Sequence, residues 1–145
     1  MKLSEGRIVY PSTPIYTGSN FTWGEATKNC SRPLCDLIIH GSLVISAAEI
    51  EKNIVKTALK LDHYRKLLGN KPIRVTSWYR NSFVNERKGG SLYSRHQYGD
   101  GVDWVSSYYS PRQVARILEP LHEHGGYKAY AIFTHTDWRG YKARW

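Results

Sequence analysis

The chain has 145 residues, 41% of them apolar and 23% charged, which suits one compact domain with its own core and excludes a disordered, collagen-like or mucin-like polymer. Its 21 Lys and Arg exceed its 12 Asp and Glu, giving +9, so long-range attraction favours an anionic partner such as nucleic acid, anionic lipid or anionic cell-wall polymer. No apolar run reaches the ~18 residues of a membrane span, and the start MKLSEGRIVYPS lacks the apolar stretch of a signal peptide. The expectation is cytoplasmic accumulation without a signal peptide, with release by lysis as one route outward.

Residues 1–36 are rich in Gly, Ser, Thr, Pro, Asn and Tyr without a sustained period, and the segment 1–44 is predicted to be irregular. Tyr10, Tyr16, Phe21 and Trp23 are too many large rings for a free tail, so the segment is expected to wrap the core. Cys30 and Cys35 match neither a C-x-x-C motif nor a cysteine zinc site, which leaves a local disulfide or two small buried side chains.

Ser46-Ala47-Ala48-Glu49 reads as a capping box, flanked by Ile45 and Ile50 as a hydrophobic staple. The stripe Ile50, Ile54, Ala58, Leu61, Leu68 then predicts a helix over 47–68, stopped by Gly69. Pro72–Tyr79 is β-branched and aromatic and predicts a strand running into a loop that begins near Arg80. Loop continues to Gly101, followed by a short strand from Val102. Ser110-Pro111-Arg112-Gln113 opens a second helix, with Val114, Ile117, Leu118 and Leu121 as its buried face, Pro120 disturbing it and Gly125-Gly126 ending it. Ala129–Trp138 alternates as one strand, with Phe133, His135 and Asp137 on one face.

Three potential metal ligands emerge from the polar loops and strand ends: His96, Asp103 and His135. Gly99 and Gly101 let the chain turn back between the first two. Two imidazoles and one carboxylate leave a fourth position for water, the arrangement of a catalytic zinc. The other histidines have no matching ligand set: His40 sits between apolar runs, His63 lies within the long helix, and His122 and His124 lie near a helix end, where cations are favoured. Tyr108, Tyr109, Tyr127 and Tyr130 either line a glycan cleft or fill the core.

Ser94-Arg95-His96-Gln97-Tyr98-Gly99-Asp100-Gly101-Val102-Asp103 resembles the S-x-H-x-x-G-x-A-x-D signature of zinc D-alanyl-D-alanine carboxypeptidases and related peptidoglycan endopeptidases, the VanY-like, LAS-type enzymes, with valine in place of alanine. Thr76–Asn81, Asn85 and Gly89-Gly90 are similar to their "S-x-Y-R … N … G-G" segment. Phe133–Asp137, Arg139-Gly140 and Ala143-Arg144-Trp145 are similar to the closing segment of small phage or bacterial members. The resemblance covers about residues 45–145. It implies a compact α+β domain in which an antiparallel sheet floors a zinc cleft and two main helices pack the sheet. It further implies zinc held by His96, Asp103 and His135, Arg80 facing the substrate, and hydrolysis of stem-peptide bonds in bacterial peptidoglycan, with anionic wall polymers as further partners.

In such relatives an acidic residue three before the final histidine ligand accepts the proton of the attacking water, and here that position is Ile132. Asp137, on the strand face of His135, is the available replacement. Two other roles compete for it: bonding the outer nitrogen of His135, or pairing with Arg139 or Arg80. Glu86 and His124 are further candidates for the base. Arg80 can hold a terminal carboxylate or a developing oxyanion, or form a plain strand-end salt bridge. Ser94 is expected to brace its loop, and Asp100 to lie exposed in a Gly-rich turn. Two other functions remain open: a zinc-containing wall-binding module without turnover, and a nucleic-acid binder. The latter has +9 and many rings in its favour, but the sequence has no zinc-finger spacing, no RNP-like strand and no basic arm.

Overall fold

The computed structural model describes residues 1–28, 30 and 33–145. The N-terminal segment carries one short helix, α1 (Trp23–Ala26), capped by Thr22, whose backbone N–H is in turn bonded by Glu25. Leu3, Val9, Ile15, Phe21, Trp23 and Ala26 are buried in the same core as the rest of the chain, while Tyr10 is exposed. Asp62, from the long helix that follows, fastens this segment. Its carboxylate accepts from the Tyr16 hydroxyl at 2.5 Å, the Ser19 hydroxyl at 2.7 Å, and the backbone and side chain of Asn20 at 3.1 and 2.9 Å. Cys30 is buried and Cys35 exposed, the Cys35 thiol lying 3.1 Å from the Pro33 carbonyl.

Strands β1 (Leu37–Ile39) and β2 (Ser42–Ile45) form a separate hairpin. His40 and Gly41 both take positive φ at its turn, the conformation that two-residue hairpin loops require. Helix α2 (Ala47–Leu67) buries the whole predicted stripe, with Leu68 as its C-cap and Gly69 left-handed beyond it. The expected capping box is half formed. Ser46 accepts from Glu49 N, but the Glu49 side chain turns to Lys52, and Asp36 takes the Ala47 N–H instead.

The main sheet contains β3 (Ile73–Ser77), β4 (Gly101–Ser106), β5 (Gly126–Ala129), β6 (Thr134–Asp137) and β7 (Ala143–Arg144), in the order β3-β4-β6-β5-β7. It is mixed rather than wholly antiparallel, because β7 runs parallel to β5. Arg144 anchors that edge through Glu119 and the carbonyls of His122 and Gly125. The strand expected over Ala129–Trp138 is the end of β5, a turn, and β6. Tyr130 N bonds Phe133 O across the turn and the two rings stack at 4.4 Å. Helix α3 (Ser82–Arg87), capped by Asn81, and a 3-10 turn at Arg95–Tyr98 stand where loop was expected, both too short to show a period. Helix α4 (Pro111–Leu118) forms the full capping box of Ser110 and Gln113. Pro120 converts its end to a 3-10 turn, Glu119–Leu121, which leaves Leu121 exposed rather than buried.

The fold is therefore a compact α+β domain with α2 and α4 as its main helices. Val75, Val102, Trp104 and Tyr127 belong to the core with the α2 stripe. On β4, Asp103 alternates with Val102 and Trp104 and so leaves the opposite face of the sheet. Among the described residues no helix is long and apolar enough to cross a membrane.

Candidate metal centre

Asp103 on β4 and His135 on β6 are direct cross-strand partners, so both side chains leave the same sheet face. His96 comes from the 3-10 turn, where Ser94 Oγ accepts the His96 N–H and so braces the loop as expected. Gly99 ends that turn at φ +79°, pressed so close to α2 that a Cβ there would lie 2.9 Å from the Ile50 carbonyl. One ligand atom from each of His96, Asp103 and His135 lies within 4.8 Å of the others.

Hydrogen bonds fix which nitrogens are available. His96 Nδ1–H donates to the Trp78 carbonyl at 2.7 Å, leaving Nε2 directed at Asp103 Oδ2, 3.3 Å away. His135 places Nε2 2.9 Å from Asp137 Oδ2 and Nδ1 2.8 Å from Asp103 Oδ1. Tetrahedral zinc with ligands at ~2.0–2.2 Å needs donor atoms about 3.3–3.6 Å apart; the His96–Asp103 pair stands at 3.3 Å, the His135–Asp103 pair, hydrogen-bonded at 2.8 Å, has to open slightly, and the N,N,O donor set suits the ion. The triad can coordinate a metal ion. Burial raises the Asp103 pKa, but bonds and charge from His135 and His96 outweigh it and hold the carboxyl well below the usual range. Burial likewise opposes a charged His135, and the two flanking carboxylates raise its pKa nonetheless. An incoming ion must displace the proton on Nδ1.

Asp137 lies behind His135, with its side chain wholly enclosed. Its oxygens accept from Gly126 N at 2.9 Å, Arg139 Nε at 2.8 Å, Arg139 Nη2 at 2.7 Å and His135 Nε2. Burial pushes its carboxyl up, and Arg139 and His135 carry it well below the ordinary range. The pair Gly125-Gly126 makes this possible, beyond ending a helix. A Cβ on Gly126 would sit 2.3 Å from Asp137 Oδ2, and one on Gly125 would collide with the Asp137 carbonyl. That carbonyl accepts from His122 Nε2–H at 2.7 Å, so His122 Nδ1 must accept, and Tyr64 O–H donates to it at 2.6 Å. His122 is thus a buried brace rather than a helix-end cation, and burial lowers its pKa.

A bulge at Thr76 re-aims the end of β3: Val75 pairs with Trp104 on the core face, yet Ser77 pairs with Asp103 on the other. Ser77 Oγ accepts from Arg80 Nε at 2.9 Å, and Arg80 Nη2 stands 3.7 Å from Asp103 Oδ2. The guanidinium has few partners, and burial lowers its pKa against the pull of Asp103. Arg80 and the triad line an open cleft of ≈ 600 Å³, whose walls include Lys88, Arg95, Tyr130, Arg139 and Trp145.

Other expected residues fall elsewhere. Asp100 is buried, not exposed, because Arg95 pairs with both of its oxygens. Glu86 does not line the cleft, and His124 borders a separate pocket with His63 and Trp138. Tyr130 reaches the cleft, whereas Tyr127 is core, Tyr109 packs against the core and Tyr108 is exposed. Ile132 is 78% exposed, and among the described lining residues Asp103 is the one carboxylate. Sequence reasoning missed His122 and Tyr64, which lie far from the ligands along the chain, and Lys88. The juxtaposition of Asn85 with Gly89-Gly90 was the available signal for Lys88.

The sequence profile of the peptidase M15 family matches residues 19–137. The zinc D-Ala-D-Ala carboxypeptidase of Streptomyces albus G is 36% identical over 91 residues, 63% of this chain but 31% of that protein, so the likeness spans about a third of the relative's length. With the profile match covering most of the chain and a metal-capable triad assembled within it, the chain belongs to the peptidase M15 family.

Proposed function

We propose that the chain is a zinc metallopeptidase acting on the stem peptides of bacterial peptidoglycan, as a VanY-like carboxypeptidase. The observation that carries this reading is the triad on an open cleft beside Arg80, a guanidinium with unfilled donors. Kinship with the zinc D-Ala-D-Ala carboxypeptidase of Streptomyces albus G supports it. Bound zinc supplies Lewis acidity, polarising a carbonyl and making water acidic enough to attack near neutral pH. His96 Nε2, His135 Nδ1 and Asp103 would hold the ion, and the Trp78 carbonyl and Asp137 fix the tautomers that would expose those nitrogens. Arg80 receives the terminal carboxylate, its planar fork also able to stabilise charge developing on the scissile carbonyl oxygen. Asp137, enclosed and bonded on both oxygens, orients His135 rather than exchanging protons with substrate.

One observation favours a second reading, a metal-holding wall-binding module without turnover. The cleft offers no carboxylate but Asp103 among the described residues, and exposed Ile132 stands at the position of the expected base. Mass spectrometry of peptidoglycan fragments incubated with the zinc-loaded chain separates the two. Loss of one terminal residue per stem is expected. Unchanged masses with fragments retained on the protein would establish the module instead, and neither turnover nor retention would overturn both.

A further inference from the structure

The cationic side chains of the cleft are unevenly matched. Arg95 is engaged by Asp100 and Arg139 by Asp137, each through two bonds. Arg80 has only Ser77 and the long approach to Asp103, and Lys88 has no carboxylate within ion-pairing distance among the described residues. Both unmatched cations stand on one wall, at either end of α3.

The turn that carries Lys88 is built, not loose. Lys88 is the C-cap of α3, with its N–H on the Val84 carbonyl. Gly89 follows at φ +69°, and Gly90 lies so close to buried Asn85 that a Cβ there would stand 2.1 Å from Asn85 Oδ1. Gly90 N bonds the Asn85 carbonyl at 2.9 Å, and Asn85 Nδ2 donates to the Ser91 carbonyl at 2.8 Å. The Asn85…Gly89-Gly90 motif, which the metal triad does not account for, therefore fixes the segment that delivers Lys88 to the cleft.

We infer that Lys88 is a specificity-determining residue that reads a second free carboxylate on the substrate, set apart from the one held at Arg80. This rests on the peptidase reading above and deepens it. The two cations are eight positions apart, and six of the seven residues between them form α3, so at ~1.5 Å per residue their Cα atoms are on the order of 12 Å apart. An extended peptide covers that span in roughly three to four residues at ~3.3 Å each. The preferred substrate is an acidic peptide with two carboxylates at that separation, in preference to the same peptide amidated at the second.

The test uses two stem-like peptides that differ only in whether the second carboxylate is free or amidated, with non-hydrolysable analogues of each. The zinc-loaded full chain should favour the free acid by about three- to fivefold in both kcat/KM and analogue Kd, the size expected of a rim ion pair, and the preference should fade at high salt. In Lys88→Gln the ratio should fall to about one, and in Lys88→Arg it should return. Equal treatment of the two peptides by the wild type, a preference that survives in Lys88→Gln, or failure to bind either analogue would overturn the inference. A Kd preference with no turnover of either peptide would refute the peptidase reading while leaving the role of Lys88 standing.

Discussion

Asp137→Asn tests how Asp137 orients His135, because it changes charge and donor pattern while keeping shape. All four partners of the carboxylate are placed to donate to it: Gly126 N–H, two Arg139 N–H groups and His135 Nε2–H. An amide nitrogen at the Oδ1 position would face Gly126 N–H and Arg139 Nε–H, two donor-to-donor conflicts. At the Oδ2 position it faces Arg139 Nη2 and His135 Nε2, and the second conflict disappears if His135 moves its proton to Nδ1. The asparagine should choose that orientation. The imidazole nitrogen facing Asp103 then carries a hydrogen in its neutral form, so the variant must reverse the tautomer before His135 can ligate.

Zinc affinity should therefore fall on the order of 10–100-fold, the usual consequence of removing a group that orients a histidine ligand. The fold should survive. Arg139 loses its counter-charge but remains one-fifth exposed, so the destabilisation should be about 2–3 kcal/mol, less than a fully buried broken pair. Competition against a chromophoric chelator gives the zinc affinity, and thermal melts with and without zinc give the stability. At saturating zinc, turnover should recover most of its wild-type value. A residual rate defect of ~10²–10⁴-fold under those conditions would instead make Asp137 the proton acceptor, and unchanged affinity would refute the tautomer argument.

Gly126→Ala should disturb the same residue from outside, since its Cβ would lie 2.3 Å from Asp137 Oδ2; melts should show a loss of about 1–3 kcal/mol, accompanied by weaker zinc binding. Arg80→Lys keeps a charge but cannot both bond Ser77 and present a planar fork, so kcat/KM on a defined stem peptide should fall while Tm moves little; an unchanged rate would remove Arg80 from substrate contact. Asp62 predicts an acid limb of stability. Burial raises its pKa, yet Tyr16, Ser19 and Asn20 together lower it below the unfolded value, so its contribution is full above the unfolded pKa near ~3.9 and is lost as pH falls through the folded one. Denaturant unfolding followed from pH 6 to 3 should show a steeper loss for wild type than for Asp62→Asn.

Local signals were read well and non-local ones poorly. The α2 stripe was legible because 21 residues repeat one period, and each of its apolar members is fully buried. His96, Asp103 and His135 were legible because few side-chain types bind metal and the resemblance fixed which ones. The β5–β6 turn was hidden because Tyr130-Ala131-Ile132-Phe133 contains neither Gly nor Pro and continues an alternating pattern. Gly125-Gly126 was visible, but its reason was not: the residue that needs the space, Asp137, is eleven positions beyond Gly126. Asp100 looked like a turn residue until Arg95 closed on it, and His122 looked like a surface cation until Tyr64, 58 positions away, turned out to bond it. The partners of Gly126 and His122 lie far off along the chain, whereas Arg95 is only five positions from Asp100 and no helical or strand period pointed to the pair.

The same sheet binds core and site into one constraint. Along β4, Val102 and Trp104 face the core while Asp103 faces the cleft, and along β6 Thr136 receives the Trp104 indole N–H at 3.0 Å while its neighbours His135 and Asp137 take the opposite face. A one-residue slip between these strands would break the Asp103–His135 pair and, if it turned β4 over, would bury the carboxylate and expose the indole. The core therefore holds the ligand register, and the cost of moving Trp104 out of the interior protects the position of Asp103. At β3 the alternation is broken, and the bulge at Thr76 breaks it in the direction that sends Ser77 to the cleft face, where it supports Arg80. Removing that bulge should leave the triad intact and misplace the guanidinium, which separates metal binding from substrate positioning within a single strand pair.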